Sequence, residues 1–202
     1  MLTPARGEQW GVLGGAFDPV HLGHLTLAAE IRRIKKLSGI VFIPTCSHPV
    51  KKEQAFASFE DRVAMLELAV VDHDFFFISR IEHERRLSGY TLDTVRALKK
   101  EYPEVAFHFI IGADNFEQIK SWHRPEEIFK EVNVIAGSRP DYVESARDNN
   151  VIGTVEFVPT RLVDVSSTGV REAVKSGEAV RELDRMVGQP VREYILRRGL
   201  YR

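Results

Sequence analysis

Gly14-Gly15-Ala16-Phe17-Asp18-Pro19-Val20-His21-Leu22-Gly23-His24 is the stretch that decides how this chain is to be read. It follows a short apolar run, Trp10 to Leu13, and precedes a segment in which Leu27, Ile31, Ile34 and Leu37 recur three and four residues apart. That spacing marks an amphipathic helix, so the stretch is a strand-to-helix turn, the place where an α/β sheet commonly binds its ligand. Two glycines let the backbone turn tightly and approach a ligand closely. Pro19 fixes one dihedral and biases Asp18 away from helix. His21 and His24, three apart at a helix start, put both rings on one face. The free N–H groups of that first turn favour an anion. The stretch reads as a phosphate site with two imidazoles aimed at it, and Gly23 between them keeps side-chain bulk away from the ligand.

Outward from this turn, strand-like and helix-like segments alternate almost to the end of the chain. Ile40 to Ile43 is a buried-strand run closed by Pro44, and Phe75 to Ile78, Val105 to Ile111, Val132 to Ala136 and Thr154 to Val158 read as further strands. Ser58 and Asp61 form a capping-box pattern ahead of a helix with Val63, Leu66 and Val70 on one face. Thr91 to Tyr102 is a helix with Leu92, Val95 and Leu98 inward, 115–121 is a short helical piece, and Pro125 opens another helix. The charged stretch Arg80 to Gly89, including Glu82-His83-Glu84-Arg85-Arg86, reads as a solvated loop, and 138–150 as a mobile surface loop. From Ser167 the chain is helical, with breaks at Gly177 and Gly188-Gln189-Pro190. Alternation at these lengths predicts a Rossmann-like α/β fold, a parallel sheet with helices on both faces and a small helical C-terminal part. A single domain over 1–202 is expected, with the sheet core in 9–165 and the helical part in 166–202. Right-handed crossovers would gather the loops after each strand along one sheet edge.

The totals narrow the class. A chain of 202 residues, 44% hydrophobic and 28% charged, can bury a core. A net charge of -1 gives no global attraction to nucleic acid or an anionic membrane, so local basic groups must meet any polyanion. One cysteine, Cys46, excludes an internal disulfide and fits a reducing compartment. No secretory signal or membrane-length apolar run is present, so a cytoplasmic protein is expected.

The glycine turn lacks the third glycine of the dinucleotide fingerprint and the Gly-Lys-Ser/Thr of a Walker loop. A metal at His21 and His24 would need further ligands, and His83 and His108 sit in unrelated elements. No metal ligand is expected. A second motif, Val165-Ser166-Ser167-Thr168-Gly169-Val170-Arg171, puts consecutive hydroxyls at a helix start, ordinary caps when alone. Here Arg171 lies one turn into that helix, and its planar fork suits the anion that the helix start attracts.

The forms G-x-F-x-P-x-H-x-G-H and S-S-T-x-x-R together resemble the nucleotidylyltransferase superfamily. Gly89 to Thr94, Phe109 to Asp114, Trp122, Arg139-Pro140 and the closing Tyr194-Ile195 and Leu200-Tyr201 resemble bacterial nicotinate-nucleotide adenylyltransferases in particular. The resemblance spans about residues 9–201. It implies adenylyl transfer from ATP, with Mg²⁺, to nicotinate mononucleotide, giving the dinucleotide and pyrophosphate without a covalent enzyme intermediate. It places His21, His24 and Arg171 in catalysis. Gly14, Gly15, Ala16, Phe17, Lys51, Gly112, Asp114, Ser166, Ser167 and Thr168 fall on the ATP side. Asp18, Tyr90, Thr91, Trp122 and Arg139 fall on the acceptor side. His48-Pro49-Val50-Lys51-Lys52 departs from the family's proline-, histidine- and lysine-containing loop, leaving open which lysine faces phosphate. Nicotinamide mononucleotide or phosphopantetheine as acceptor, or a nucleotide-binding regulator without turnover, are the alternatives. The expected partners are these small molecules, with no nucleic acid or membrane, and a homo-oligomer remains open.

Overall fold

Strand β1 (Gln9–Gly15) occupies the middle of a parallel sheet, between β2 (Gly39–Pro44) and β4 (Ala106–Gly112). With β3 (Phe76–Ile78), β5 (Asn133–Ser138) and β6 (Val155–Pro159), the order is β3-β2-β1-β4-β5-β6. Strand order therefore reverses between β1 and β4, which opens a crevice at the carboxyl ends of those two strands. The computed structural model describes residues 4–46, 55–112, 116, 118–138, 155–161, 163–177 and 180–202. Lys51, Asp114, Arg139 and the segment 139–150 lie outside them.

Period-two alternation along the strands sends side chains to two separate cores. Leu13, Ile40, Phe42 and Ile110 face one side, against α1 (Leu22–Lys35), α2 (Phe59–Val70), α6 (Ser167–Ser176), α7 (Val180–Val187) and α8 (Gln189–Arg198). Trp10, Val12, Val41, Ile43, Phe107 and Phe109 face the other, against α3 (Ile81–Glu84), α4 (Thr91–Glu101) and α5 (Pro125–Glu131). Burial on both faces is why these strands read as unbroken apolar runs. Among the described residues, no helix is long and apolar enough to cross a membrane.

The helix boundaries follow capping chemistry. Ser58 Oγ accepts the Asp61 N–H at 3.1 Å, as the capping pattern predicts. Gly177 and Gly199 end α6 and α8 in the left-handed region, φ 73° and 64°, where a Cβ would strain the backbone.

Three expectations are corrected. Arg80 to Gly89 is not one solvated loop: it contains α3, and Glu82 is 3% exposed because it bonds to parts of the chain far from it in sequence. Ile34 lies at the rim of α1, exposed rather than inward. Gly14 and Gly15 close β1, paired with Ile43 and Pro44, instead of forming the turn. The left-handed residue there is Phe17, φ 49°. The described residues of 115–121 are helical as expected, with the 3₁₀ turn Ile119–Ser121 at the end.

Close packing beside β1 gives a test of the core. A Cβ on Gly39 would lie 2.4 Å from the Trp10 ring, and Trp10 is itself buried. Gly39→Ala is expected to cost about 1–3 kcal/mol through overpacking. Thermal unfolding should show Tm lowered by roughly 2–12 °C; an unchanged Tm would show that the indole has room to move.

Candidate active site

At the crevice, the chain leaves β1 through Ala16 to Val20 and enters α1 with His21 in extended conformation as its N-cap. The His21 N–H donates to His24 Nδ1 at 3.2 Å, and the two rings stack at 3.7 Å between centroids. Phe17 meets His24 edge-on at 5.0 Å, so the imidazole pair stands on the apolar core. Because His24 Nδ1 accepts a backbone proton, the neutral ring carries its own proton on Nε2. Burial lowers His21 to about 4. Burial first, and His21 second, hold His24 well below the usual histidine range. Both rings are therefore neutral near pH 7. They can donate hydrogen bonds but bring no charge.

Gly23 has a different task from the one its position suggested. A Cβ there would meet His21 Nδ1 at 2.9 Å and Cε1 at 3.0 Å, so the missing side chain makes room for the histidine ring. That Nδ1 is buried and has no hydrogen-bond partner among the described residues.

The start of α6 closes on the same turn. Ser166 Oγ accepts the Gly169 N–H at 3.0 Å. Ser167 Oγ donates to the Pro19 carbonyl at 2.9 Å, which spends its single hydroxyl proton within the protein. Arg171 Nη1 donates to the Asp18 carbonyl at 2.7 Å, and Nη2 to Thr168 Oγ1 at 2.9 Å. The N–H groups of Ser167 and Thr168 belong to a first turn, which has no helix carbonyl for them to bond. Two helix starts and one guanidinium thus converge where the turn leaves β1.

Asp18, expected on the acceptor side, has its carboxylate engaged internally. Oδ2 accepts the Phe56 N–H at 2.7 Å, while Oδ1 accepts the Ala57 N–H at 3.1 Å and the Tyr201 hydroxyl at 2.8 Å. Burial first, then the Asp18 charge, push the Tyr201 phenol up, so it remains a donor.

Beyond this turn, across the sheet edge, lies an aromatic group. Tyr90 caps α4 with Thr91 as its first residue, and Tyr90 stacks on His123 at 4.2 Å. Trp122 meets Phe109 edge-on at 5.9 Å, and a Cβ on Gly14 would lie 3.3 Å from that same Phe109 ring. Phe109 is the wall shared by the glycine strand and Trp122. Gly112 ends the neighbouring strand β4. The structure thus brings the histidines, Ser166 to Thr168 and Arg171 to one side of the crevice and Tyr90, Thr91 and Trp122 to the other.

Residues missed in the sequence bind the loops together. Arg62, 2% exposed, donates to the Ala16 carbonyl at 2.5 Å and the Thr45 carbonyl at 2.8 Å, joining the turns after β1 and β2. Its signal was available: it lies four residues before Leu66 and eight before Val70, an arginine on an apolar stripe. Glu82 accepts the Thr94 hydroxyl at 2.7 Å and the Cys46 N–H at 3.3 Å, and burial pushes its carboxyl up. No spacing in the sequence marks it.

A parallel sheet reversing beside β1, with phosphate-seeking helix starts at the reversal, defines a nucleotide-binding α/β class. The family described as Cytidylyltransferase-like matches residues 12–173. A Saccharopolyspora erythraea protein named "Probable nicotinate-nucleotide adenylyltransferase" is 38% identical, over 98% of this chain and 92% of its own length. An Exiguobacterium sibiricum protein of the same name is 39% identical, over 95% and 97%. The chain belongs to the nicotinate-nucleotide adenylyltransferase family. In fold it is similar to Plasmodium falciparum nicotinic acid mononucleotide adenylyltransferase complexed with NaAD, with a TM-score of 0.78, 19% identity, and 96% and 97% of the two chains covered.

Two measurements test this geometry. Unfolded histidines titrate near 6.5, so the unfolded state binds more protons than the folded one below that value. The stability due to neutral His21 is complete above about 6.5 and is lost as pH falls toward about 4. Wild-type Tm should drop across that window, and His21→Asn should show a shallower drop; parallel curves would refute a buried neutral His21. Gly23→Ala should keep the fold but push the ring aside, cutting turnover by roughly tenfold or more, given the sensitivity of catalysis to misplacements near 1 Å. Wild-type turnover in that variant would show that the ring position does not matter.

Proposed function

We propose that this protein transfers the adenylyl group of ATP to nicotinate mononucleotide, giving nicotinate adenine dinucleotide and pyrophosphate in NAD biosynthesis. The acceptor's phosphate oxygen forms a bond to the ATP α-phosphorus as the bond to the bridging α–β oxygen breaks, and pyrophosphate leaves. No covalent enzyme intermediate intervenes. Positioning and charge stabilisation supply the catalysis.

The observation that carries this reading is the pair of neutral, stacked imidazoles beside Arg171. Neutral imidazole N–H groups can follow negative charge developing on phosphoryl oxygens without moving in the transition state. His21 and His24 act on the phosphates around the reacting centre. Arg171, the Thr168 hydroxyl and the N–H groups of Ser167 and Thr168 hold the triphosphate, with Ser166 capping that helix. Gly14 to Phe17, Gly112, Asp114 and Lys51 complete the ATP side. Tyr90, Thr91, Trp122 and Arg139 take the acceptor, where an indole suits a flat pyridine. The Asp18 carboxylate frames the site and need not touch the acceptor. Among the described residues, no three His, Cys, Asp or Glu side chains could hold a metal ion. The Mg²⁺ of this reading is that of the MgATP substrate.

Pyrophosphate release from ATP, measured with nicotinate mononucleotide, nicotinamide mononucleotide and phosphopantetheine in turn, tests the proposal. Nicotinate mononucleotide should give the highest kcat/KM. Faster turnover with another acceptor would reassign the substrate, and no release with any of the three would reject the enzyme reading. His24→Ala should lower kcat by about 10²–10³, the loss of one preorganised donor; an unchanged kcat would make this imidazole structural.

A further inference from the structure

Phe56 stands apart from the other aromatic side chains at this end of the molecule. It is 72% exposed, so core packing does not hold it. Yet it meets the site: the Arg171 guanidinium carbon lies over its ring, 4.4 Å from the centroid. The backbone fixes that placement, since the Phe56 N–H bonds to Asp18 Oδ2 at 2.7 Å and the next N–H, that of Ala57, to Oδ1 at 3.1 Å. A buried carboxylate, 5% exposed, therefore sets where an exposed ring sits.

The ring packs against the guanidinium, whose central carbon sits over it. A guanidinium has five N–H donors, all in its plane. One on Nη1 goes to the Asp18 carbonyl, and one on Nη2 goes to the Thr168 hydroxyl. The other three donors have no partner among the described residues. The two hydrogen bonds anchor the group at two nitrogens, and the ring beneath its central carbon restricts the motion that they leave.

We propose that Phe56 is a positioning residue for adenylyl transfer, holding the plane of Arg171 so that its three remaining N–H groups face the triphosphate. The inference rests on Arg171 being a phosphate ligand, as read above. It assigns a function to an exposed residue outside both sequence motifs.

The test uses the full chain with Phe56→Ala, Phe56→Leu and Phe56→Tyr, each also made in an Arg171→Ala background. An exposed cation–π contact is worth roughly two- to fivefold. Phe56→Ala and Phe56→Leu should lower kcat/KM for MgATP by about that factor, whereas Phe56→Tyr, which keeps the π face, should restore it. Tm should be unchanged in all three, because the side chain is exposed. With Arg171 already removed, Phe56→Ala should cause no further loss. Equal losses with and without Arg171, or no loss in Phe56→Ala, would overturn the proposal. So would full activity in Phe56→Leu. The same cycle is to be run on the affinity for α,β-methylene ATP, which needs no turnover. Absence of pyrophosphate release by the wild-type chain would defeat the adenylyl-transfer reading, while the affinity cycle would still decide the coupling of Phe56 to Arg171.

Discussion

The carboxylate of Asp18 is the constraint on which the rest of the site depends. Burying a carboxylate is costly unless donors replace the lost water. Here the donors are the Phe56 and Ala57 N–H groups and the Tyr201 hydroxyl. Its own backbone carbonyl takes Arg171. One residue thus joins the turn after β1, the approach to α2, the start of α6 and the segment after α8. Arg62 works beside it, feeling the Asp18 and Glu82 charges and holding two loop carbonyls. These charged groups serve main-chain geometry, which is why the loops around the crevice have fixed relations.

Electrostatics at the crevice are local in consequence. The chain as a whole is nearly neutral, at -1, and its two histidines at the site are uncharged near pH 7. Among the described residues, attraction for a polyanion therefore comes from Arg171 and the starts of α1 and α6. The imidazoles add directed protons with no fixed charge. Burial is the main cause of their lowered pKa values.

Much of the fold was legible because two-sided burial writes itself as apolar runs, as in the strands read at Ile40 to Ile43 and Val105 to Ile111. The histidine pair was legible because three-residue spacing at a helix start is a local fact. What was misread depended on distant partners. Gly14 and Gly15 looked like turn glycines, but their lack of side chain accommodates the Phe109 and Phe17 rings. Glu82 lay in a run of charges that resembled a wet loop, and only the fold brings Thr94 and the Cys46 N–H to it. Arg62 was hidden by its apolar neighbours, and Asp18 by a motif that suggested a ligand where the structure has a tether.

The tether spans great distances along the chain. Arg171 reaches Asp18 from 153 residues away, and Tyr201 reaches it from 183. A ribosome making this protein releases the glycine turn and both histidines early, together with the strands that support them. The guanidinium and the phenol emerge only 153 and 183 residues after Asp18. A growing polypeptide can therefore assemble most of its sheet while the anion-holding half of the crevice does not yet exist. A chain halted before Arg171 would carry the glycine turn and both histidines without the guanidinium that closes on them.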